Sequence, residues 1–128
     1  MNNIFLLLLM IFCHVVDDYY LQGWLASAKQ KKWWENNAPQ KLYEYDYLWA
    51  LLMHSFSWTF LIMFPVFILN ELVITIELLA VFIFNVGIHA TIDNLKANAF
   101  KINLWQDQLT HMCQIGVTWL LFIGGFLT

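Results

Sequence analysis

Three times in this chain a histidine and an aspartate stand four residues apart. Four residues are about one helical turn, so both members of each pair project from the same face of a helix. Such side chains bind divalent metals and move protons, but an aspartate at the centre of a bilayer costs roughly 2.5–3.5 kcal/mol on insertion scales. Each pair lies in or at the end of an apolar segment, which calls for a functional reason. The pairs are His14 with Asp18, His89 with Asp93, and Asp107 with His111, and the remaining histidine is His54.

Four long apolar segments must position these residues. Hydrophobic residues make up 61% of the 128 residues and charged residues only 12%. A soluble domain of this size cannot hide so much apolar surface, and about 20 apolar residues cross the hydrocarbon layer as a helix. The sequence therefore predicts an all-α fold, an integral membrane four-helix bundle in a single transmembrane domain, 1–128. The predicted helices are about 4–24, 48–69, 72–95 and 104–127.

Two local features refine these helices. Only Asn70 and Glu71 separate the second and third segments, which predicts a tight antiparallel hairpin, and Pro65 is expected to kink the second helix. The N-terminal apolar run lacks a basic region and a small-residue cleavage site, so we expect it to be kept as the first span.

The lysines predict the orientation. They are confined to two loops, with Lys29, Lys31, Lys32 and Lys41 in the first and Lys96 and Lys101 in the third. The positive-inside bias places these loops in the cytoplasm and both termini outside. The first loop, 26–47, either lies partly along the membrane surface as a short helix or forms a solvated connector with anchoring aromatic residues.

This orientation predicts a common depth for the polar residues. His54 and His89 are about six residues, and His111 about seven, from the cytoplasmic ends of their helices, or roughly 9–10 Å along each axis. The fourth helix runs inward from the cytoplasm, and there the order of the pair inverts to aspartate before histidine. Histidine thus stays deeper than aspartate in helices of both directions, which predicts one shared site with a histidine layer below an aspartate layer.

Other polar residues continue the same helical faces. Asn85, Gln114 and Thr118 follow the histidines at helical spacing and are expected to hydrogen-bond the ligands, as is Gln22. Asp17 lies about 100° around the helix from Asp18, which places it outside the group of ligands.

Imidazole and carboxylate without cysteine favour zinc, iron, manganese or nickel. Four histidines and three aspartates exceed the four ligands of one closed zinc site, so two ions, or one ion with spare acid–base groups, fit the count. Such a centre predicts a metal-dependent hydrolase acting on a lipid or phosphoester at the cytoplasmic leaflet, with Lys96 neutralising an anionic substrate. The predicted ligands are His14, Asp18, His54, His89, Asp93, Asp107 and His111, and the predicted catalytic residues are Asp18, Asp93, Asp107 and Lys96.

The motifs also resemble a known family. The run His14-x-x-x-Asp18-Tyr19-Tyr20-Leu21-Gln22 is similar to the opening signature of small bacterial and phage integral membrane proteins catalogued as domain of unknown function 3307. Its other motifs appear as the single His54, as His89-x-x-x-Asp93-x-x-Lys96, and as Asp107-Gln108-x-x-His111. The resemblance covers nearly the whole chain, implies the site rather than a reaction, and matches either Lys29 or Lys32 to the family's lysine.

Other interpretations stay open at this stage. The polar residues also fit a metal-free network that holds the helices in register or carries protons, and a haem or other cofactor is a further alternative. The competing class of function is non-enzymatic: a metal or proton conduit, or a phage-type protein acting in membrane assembly. The lipid bilayer is the expected partner, nucleic acid is not, and homo-oligomerisation is left open because no GxxxG motif specifies it.

Overall fold

The computed structural model describes residues 2–127, which fold into six α-helices with no β-strand. Helices make up 79% of the structure, so the predicted all-α class is confirmed. A π-helical turn, Asp17–Leu21, continues α1, and a 3-10 turn, Lys41–Tyr43, precedes α4. The helices are α1 (Asn3–Val16), α2 (Leu25–Ala28), α3 (Lys31–Asn37), α4 (Asp46–Leu69), α5 (Ile76–Ala97) and α6 (Leu104–Ile123).

Three helical segments are long and apolar enough to cross a membrane. They are Asn3–Leu21, Lys41–Leu69 and Ile76–Ala97, so the described residues contain three such segments where the sequence predicted four. With 20 residues, α6 has sufficient length, but glutamine, aspartate and histidine in its first half make it less apolar. The structure is compatible with membrane integration through the three apolar segments.

The connection between α4 and α5 is longer than the predicted two-residue turn. Here α5 begins at Ile76 rather than at residue 72, because Glu71 and Leu72 adopt positive φ angles of 54° and 62° that no α-helix contains. The side chain of Thr75 then accepts a hydrogen bond from the Leu78 amide at 3.2 Å and caps the new helix.

Glycines explain why two helices end earlier than the sequence predicted. The first helix was expected to reach residue 24, but its last turn ends at Leu21 and Gly23 turns the chain with a φ of 49°. Likewise α6 ends at Ile123 rather than at residue 127, before Gly124 and Gly125, of which the latter has a φ of 79°. Pro65 lies inside α4, which is one continuous helix from Asp46 to Leu69.

The four long helices pack in a ring. α1 contacts α4 and α6, and α5 contacts the same two helices, so each has two neighbours. Of the two alternatives for the loop 26–47, the structure shows the helical one, and α2 and α3 pack against α4. Hydrogen bonds from Asn98, just after α5, hold the same segment, so it covers one end of the ring.

Polar residues line the inside of this ring at the covered end, and apolar residues fill the other half. The apolar core contains Leu6, Met10, Ile62, Met63 and Ile115, all buried. Large apolar side chains also cover the outer surface, among them Phe12 and Phe84 at 62% and 68% exposure. An apolar exterior around a polar interior is the arrangement expected of helices surrounded by lipid.

Candidate metal centre

All four long helices contribute to one buried polar cluster at the covered end. α1 and its π-helical turn carry His14 and Asp18, α4 carries His54, and α5 and α6 carry one histidine and one aspartate each. The seven predicted ligand side chains are at most 5% exposed. Burial of so many ionisable groups is costly unless each is paired or bound to a cation.

Three histidine rings form the middle of the cluster. The Nε2 atoms of His54 and His89 lie 3.2 Å apart. His89 stacks on His111 and also on Trp58, with ring centroids 4.2 Å apart in both cases. These contacts hold the imidazole of His89 in a fixed plane between residues of α4 and α6.

The carboxylate of Asp93 lies between the outer two histidines. Its Oδ2 is 3.4 Å from Nε2 of His54, and its Oδ1 is 3.4 Å from Nε2 of His111 and 3.8 Å from Nε2 of His89. A carboxylate with one oxygen toward each side can join two metal positions. Asp93 is the geometric centre of the predicted site.

One further aspartate stands at each side. Asp18 Oδ1 lies 3.3 Å from Nε2 of His54, and Asp107 Oδ1 lies 3.4 Å from Nε2 of His111. Six of the seven predicted ligands therefore form a single row across the bundle, which we call the His–Asp row. Its members are Asp18, His54, His89, Asp93, His111 and Asp107.

These separations suit a tetrahedral metal ion. Two ligands at about 2.0–2.1 Å from a tetrahedral zinc are about 3.3–3.4 Å apart, which matches most neighbouring pairs in the row. Two overlapping groups have ligand atoms that all lie within 4.8 Å of one another, namely Asp18 with His54 and His89, and His89 with Asp93 and His111. The row is thus close enough to hold a metal ion.

The histidines also turn the appropriate atoms toward the centre. Nδ1 of His54 faces Asp17 Oδ2 at 3.5 Å, and Nδ1 of His111 faces Gln114 Oε1 at 3.4 Å. A metal-bound histidine usually directs its other ring nitrogen at a carboxylate or carbonyl group, which fixes its tautomer. Both rings have this arrangement, with Nε2 directed into the row.

Several buried atoms in the row have no hydrogen-bond partner among residues 2–127. They include Nε2 of His111, Oδ1 of Asp107 and Nδ1 of His89. Buried polar atoms are nearly always satisfied in folded proteins, so a concentration of unsatisfied ones calls for an explanation. Nε2 of His111 and Oδ1 of Asp107 face each other, which is the donor set that a divalent cation would satisfy.

Charge balance points the same way. Four aspartates lie in or beside the row, and two lysines pair with them, Lys29 with Asp93 and Lys96 with Asp107, both at 2.5 Å. With ionised carboxylates and neutral histidines, two negative charges remain uncompensated in the metal-free cluster, which favours binding of a cation. The other carboxylates are those of Asp17 and Asp18.

His14 is the predicted ligand that the structure does not bring into the row. Trp58 donates its indole N–H to Nδ1 of His14 at 2.7 Å, so the imidazole carries its proton on Nε2. That nitrogen lies 3.1 Å from Oε1 of Gln108 and donates to it. Both ring nitrogens are occupied, and His14 positions Gln108.

Gln108 connects the two ends of the row. Its Nε2 donates to Asp18 Oδ2 at 2.8 Å and to Asp107 Oδ2 at 3.2 Å, while its Oε1 accepts from Tyr19 as well as His14. This side chain belongs to a motif noted in the sequence, but its role as a bridge between two carboxylates depends on the packing of α1 against α6.

The roles of two further residues were not predicted from the sequence. Asp17 is buried and accepts from Ser57 at 2.6 Å, so it holds His54 from behind the row as a non-ligand carboxylate. Lys29 is buried at 6% exposure, whereas Lys32 is exposed, so Lys29 is the loop lysine that reaches the site. The resemblance described above was the only signal for Lys29, and it did not separate the two lysines.

Of the residues expected to hydrogen-bond the ligands, Gln22 contacts Asp18 and Gln114 contacts His111, whereas Asn85 and Thr118 bond to Gln114 and to each other. Gln22 donates to the backbone oxygen of Asp18. Gln114 donates to Asn85, and Asn85 donates to Thr118 at 2.9 Å, which extends the hydrogen bonds away from His111. Lys96, expected to bind an anionic substrate, is instead paired with Asp107 and only 27% exposed.

Comparison of the chain with family models, with curated proteins and with solved structures gave no match. Functional inference therefore starts from the geometry of the His–Asp row.

Proposed function

We propose that this chain is a membrane-embedded metal-binding protein and that its metal centre hydrolyses a lipid or phosphoester at the cytoplasmic leaflet. In this proposal α6 joins the three apolar segments as a fourth span, and both termini lie outside a bacterial inner membrane. The lysine-rich loops, and with them the covered end of the ring, then face the cytoplasm. The motifs also support membership of the family catalogued as domain of unknown function 3307.

The observation that carries the proposal is the His–Asp row itself. Six buried ligand groups from all four long helices are spaced as the ligands of a tetrahedral ion are, and two of their facing atoms have no hydrogen-bond partner in residues 2–127. A purely structural network would be expected to satisfy its own donors and acceptors. Zinc, iron or manganese, as one or two ions, fits these ligands.

The residues of the row suggest how hydrolysis would proceed. A bound divalent ion would supply a hydroxide nucleophile near neutral pH and polarise the scissile group. Asp93 would join the two halves of the row, and whichever of the Asp18 and Asp107 carboxylates is not bound to the ion would take a proton from the attacking water. Lys96, at the exposed edge, would neutralise negative charge on the leaving group.

Elemental analysis of the purified protein, followed by assays with phosphoester and lipid ester substrates, tests the proposal. We expect at least one divalent ion per chain and hydrolysis that stops with chelator and returns with metal. Protein that binds no zinc, iron or manganese at micromolar concentrations would exclude both the metal site and the reaction. Stoichiometric metal without any hydrolysis would retain the site and remove the enzyme.

A second candidate is a proton-carrying network, and one observation favours it. Hydrogen bonds continue from His111 through Gln114 and Asn85 to Thr118, toward the end of the ring away from the lysine-rich loops. The imidazoles and carboxylates of the His–Asp row can pass protons, and the polar side chains beyond His111 would extend their path. Proton flux across vesicles containing the protein, measured with a pH-sensitive dye, distinguishes this function from hydrolysis.

A further inference from the structure

The segment that covers the site inserts a lysine into it. Lys29 ends helix α2, and its ammonium contacts Asp93 Oδ2 at 2.5 Å from a position that is 6% exposed. The same oxygen lies 3.4 Å from Nε2 of His54. An ammonium group and a metal ion at this end of the row would therefore compete for one carboxylate oxygen.

The side chain of Asn98, just after α5, also fastens this segment to the bundle. Asn98 accepts from the Lys31 amide at 2.7 Å and donates to the Lys29 carbonyl at 3.0 Å. Its amide nitrogen also lies 2.9 Å from Oδ1 of Asn94. These bonds fix the backbone on both sides of Gln30, which places the Lys29 side chain over the row.

The segment is internally consolidated and begins after a glycine. Trp24, Trp33 and Trp34 contact one another edge to face, with centroids 5.0–6.0 Å apart, and Trp34 donates to the Ala28 carbonyl at 2.7 Å. Gly23 precedes them with a φ of 49°. Aromatic contacts of this kind hold residues 24–37 together, and Gly23 is the point about which they would turn as one body.

We infer that residues 24–37 form a lid and that Lys29 is a built-in cation, which neutralises Asp93 until a divalent ion displaces it. This inference rests on the proposed metal site and adds its regulation. Placing a divalent ion within a few ångströms of a buried ammonium is unfavourable, so metal entry expels Lys29 and opens the lid. In the metal-free state Lys29 closes the site to substrate.

Lysine labelling of the wild-type protein tests the lid directly. Purified protein in lipid nanodiscs is treated with an amine-acylating reagent with and without zinc, and each lysine is quantified by mass spectrometry alongside the zinc content. We expect Lys29 to be protected without zinc and about tenfold more reactive with it, as for a local opening, while the exposed Lys32 is unchanged. Bound zinc with Lys29 still protected would overturn the lid and leave the metal site intact. Absence of bound zinc would overturn both.

A variant pair measures the competition. Lys29→Met keeps the length of the side chain and removes its charge, so we expect zinc affinity to rise about tenfold, with Lys32→Met as the unchanged control. Equal or weaker affinity in Lys29→Met contradicts the built-in cation. Should that variant fail to fold, Asn98→Ala serves instead. Loss of the Asn98 hydrogen bonds would loosen the lid, so we expect more labelling of Lys29 in the absence of zinc. Unchanged labelling of Lys29 would contradict the role of Asn98 in holding the lid.

Discussion

The Nε2 atoms of His54 and His89 face each other at 3.2 Å in the buried centre of the helix ring. In a metal-free protein one of these two nitrogen atoms must carry a hydrogen and donate a hydrogen bond to the other. Both can instead be deprotonated and bind the same ion, and their separation suits a tetrahedral site with bonds of about 2.0–2.1 Å. Asp18 lies 3.3 Å from the His54 nitrogen and would supply a third ligand to that ion.

Asp93 is expected to decide metal binding. Asp93→Asn keeps the shape of the side chain but removes the charge shared by the two halves of the row, so we expect metal content to fall below about a tenth of the wild-type value. Elemental analysis of the purified proteins measures this. Glu77→Gln, an exposed carboxylate on the same helix, is the control and should retain full occupancy. Normal metal content in Asp93→Asn would remove Asp93 from the ligand set.

His14 offers a comparison within the cluster. Its two nitrogens are engaged by Trp58 and Gln108, so His14→Gln should keep the metal stoichiometry, whereas His89→Gln should lower it. Titration of metal-free protein with zinc, followed by calorimetry, separates the two variants. Equal losses in both would return His14 to the ligands that the sequence predicted.

Asp17 is expected to tune the affinity without binding the metal. It faces Nδ1 of His54 at 3.5 Å and is fixed by Ser57 at 2.6 Å. Loss of such an orienting carboxylate typically costs about 10- to 100-fold in metal affinity, so Asp17→Asn should weaken zinc binding by that factor and leave the stoichiometry unchanged. Asp46→Asn, at the start of the same α4 that carries His54, is the control. A lost ion in Asp17→Asn would make Asp17 a ligand.

The sequence predicted the helical class and most of the row for a physical reason. Helical spacing is a local property, so pairs four residues apart such as His89 and Asp93 share a face wherever the helix packs. Lysine placement then related the faces of helices that run in opposite directions. Both arguments need no knowledge of the packed structure.

The parts of the site that were not predicted depend on contacts between helices, which the spacing of residues along one helix does not determine. His14 has the same spacing to Asp18 as the ligand pairs, yet Trp58 of α4 occupies one of its nitrogens. Asp17 and Asp18 are neighbours in the chain, yet both contact His54, because its two ring nitrogens face one carboxylate each. Lys29 reaches the row through an irregular segment whose path depends on Asn98.

Gln108 is expected to stabilise the row by separating the negative charges of Asp18 and Asp107. Its amide donates to both Asp18 and Asp107, so Gln108→Glu replaces a shared donor with another carboxylate of the same size. We expect the free energy of unfolding of the metal-free variant to fall by about 2–5 kcal/mol, as for breaking a buried charged network. Saturating zinc should restore part of this stability. Thermal unfolding in detergent with chelator or zinc measures it.

Gln106→Glu is the matched control for that change. Gln106 closes a capping box at the start of α6 by accepting from the Asn103 amide, which glutamate does equally well, and its side chain is exposed. Its unfolding temperature should stay within a few degrees of wild type, for a stability change of about 0.5 kcal/mol or less. Equal effects of Gln106→Glu and Gln108→Glu would mean that general negative charge, not the bridge between carboxylates, is responsible.

The fourth span is open to a direct test. If α6 crosses the membrane, residue 126 lies on the side of the α4–α5 connection, opposite the lysine-rich loops. Single cysteines are introduced as Lys41→Cys, Glu71→Cys and Phe126→Cys in a chain lacking its native cysteines, and labelled with a membrane-impermeant maleimide on intact cells. We expect labelling at positions 71 and 126 and none at 41, because the lysine-rich loops stay in the cytoplasm. Labelling at position 71 alone would place the end of α6 in the cytoplasm and leave α6 as a helix that packs on three spans. Labelling at position 41 alone would mean that the topology is inverted.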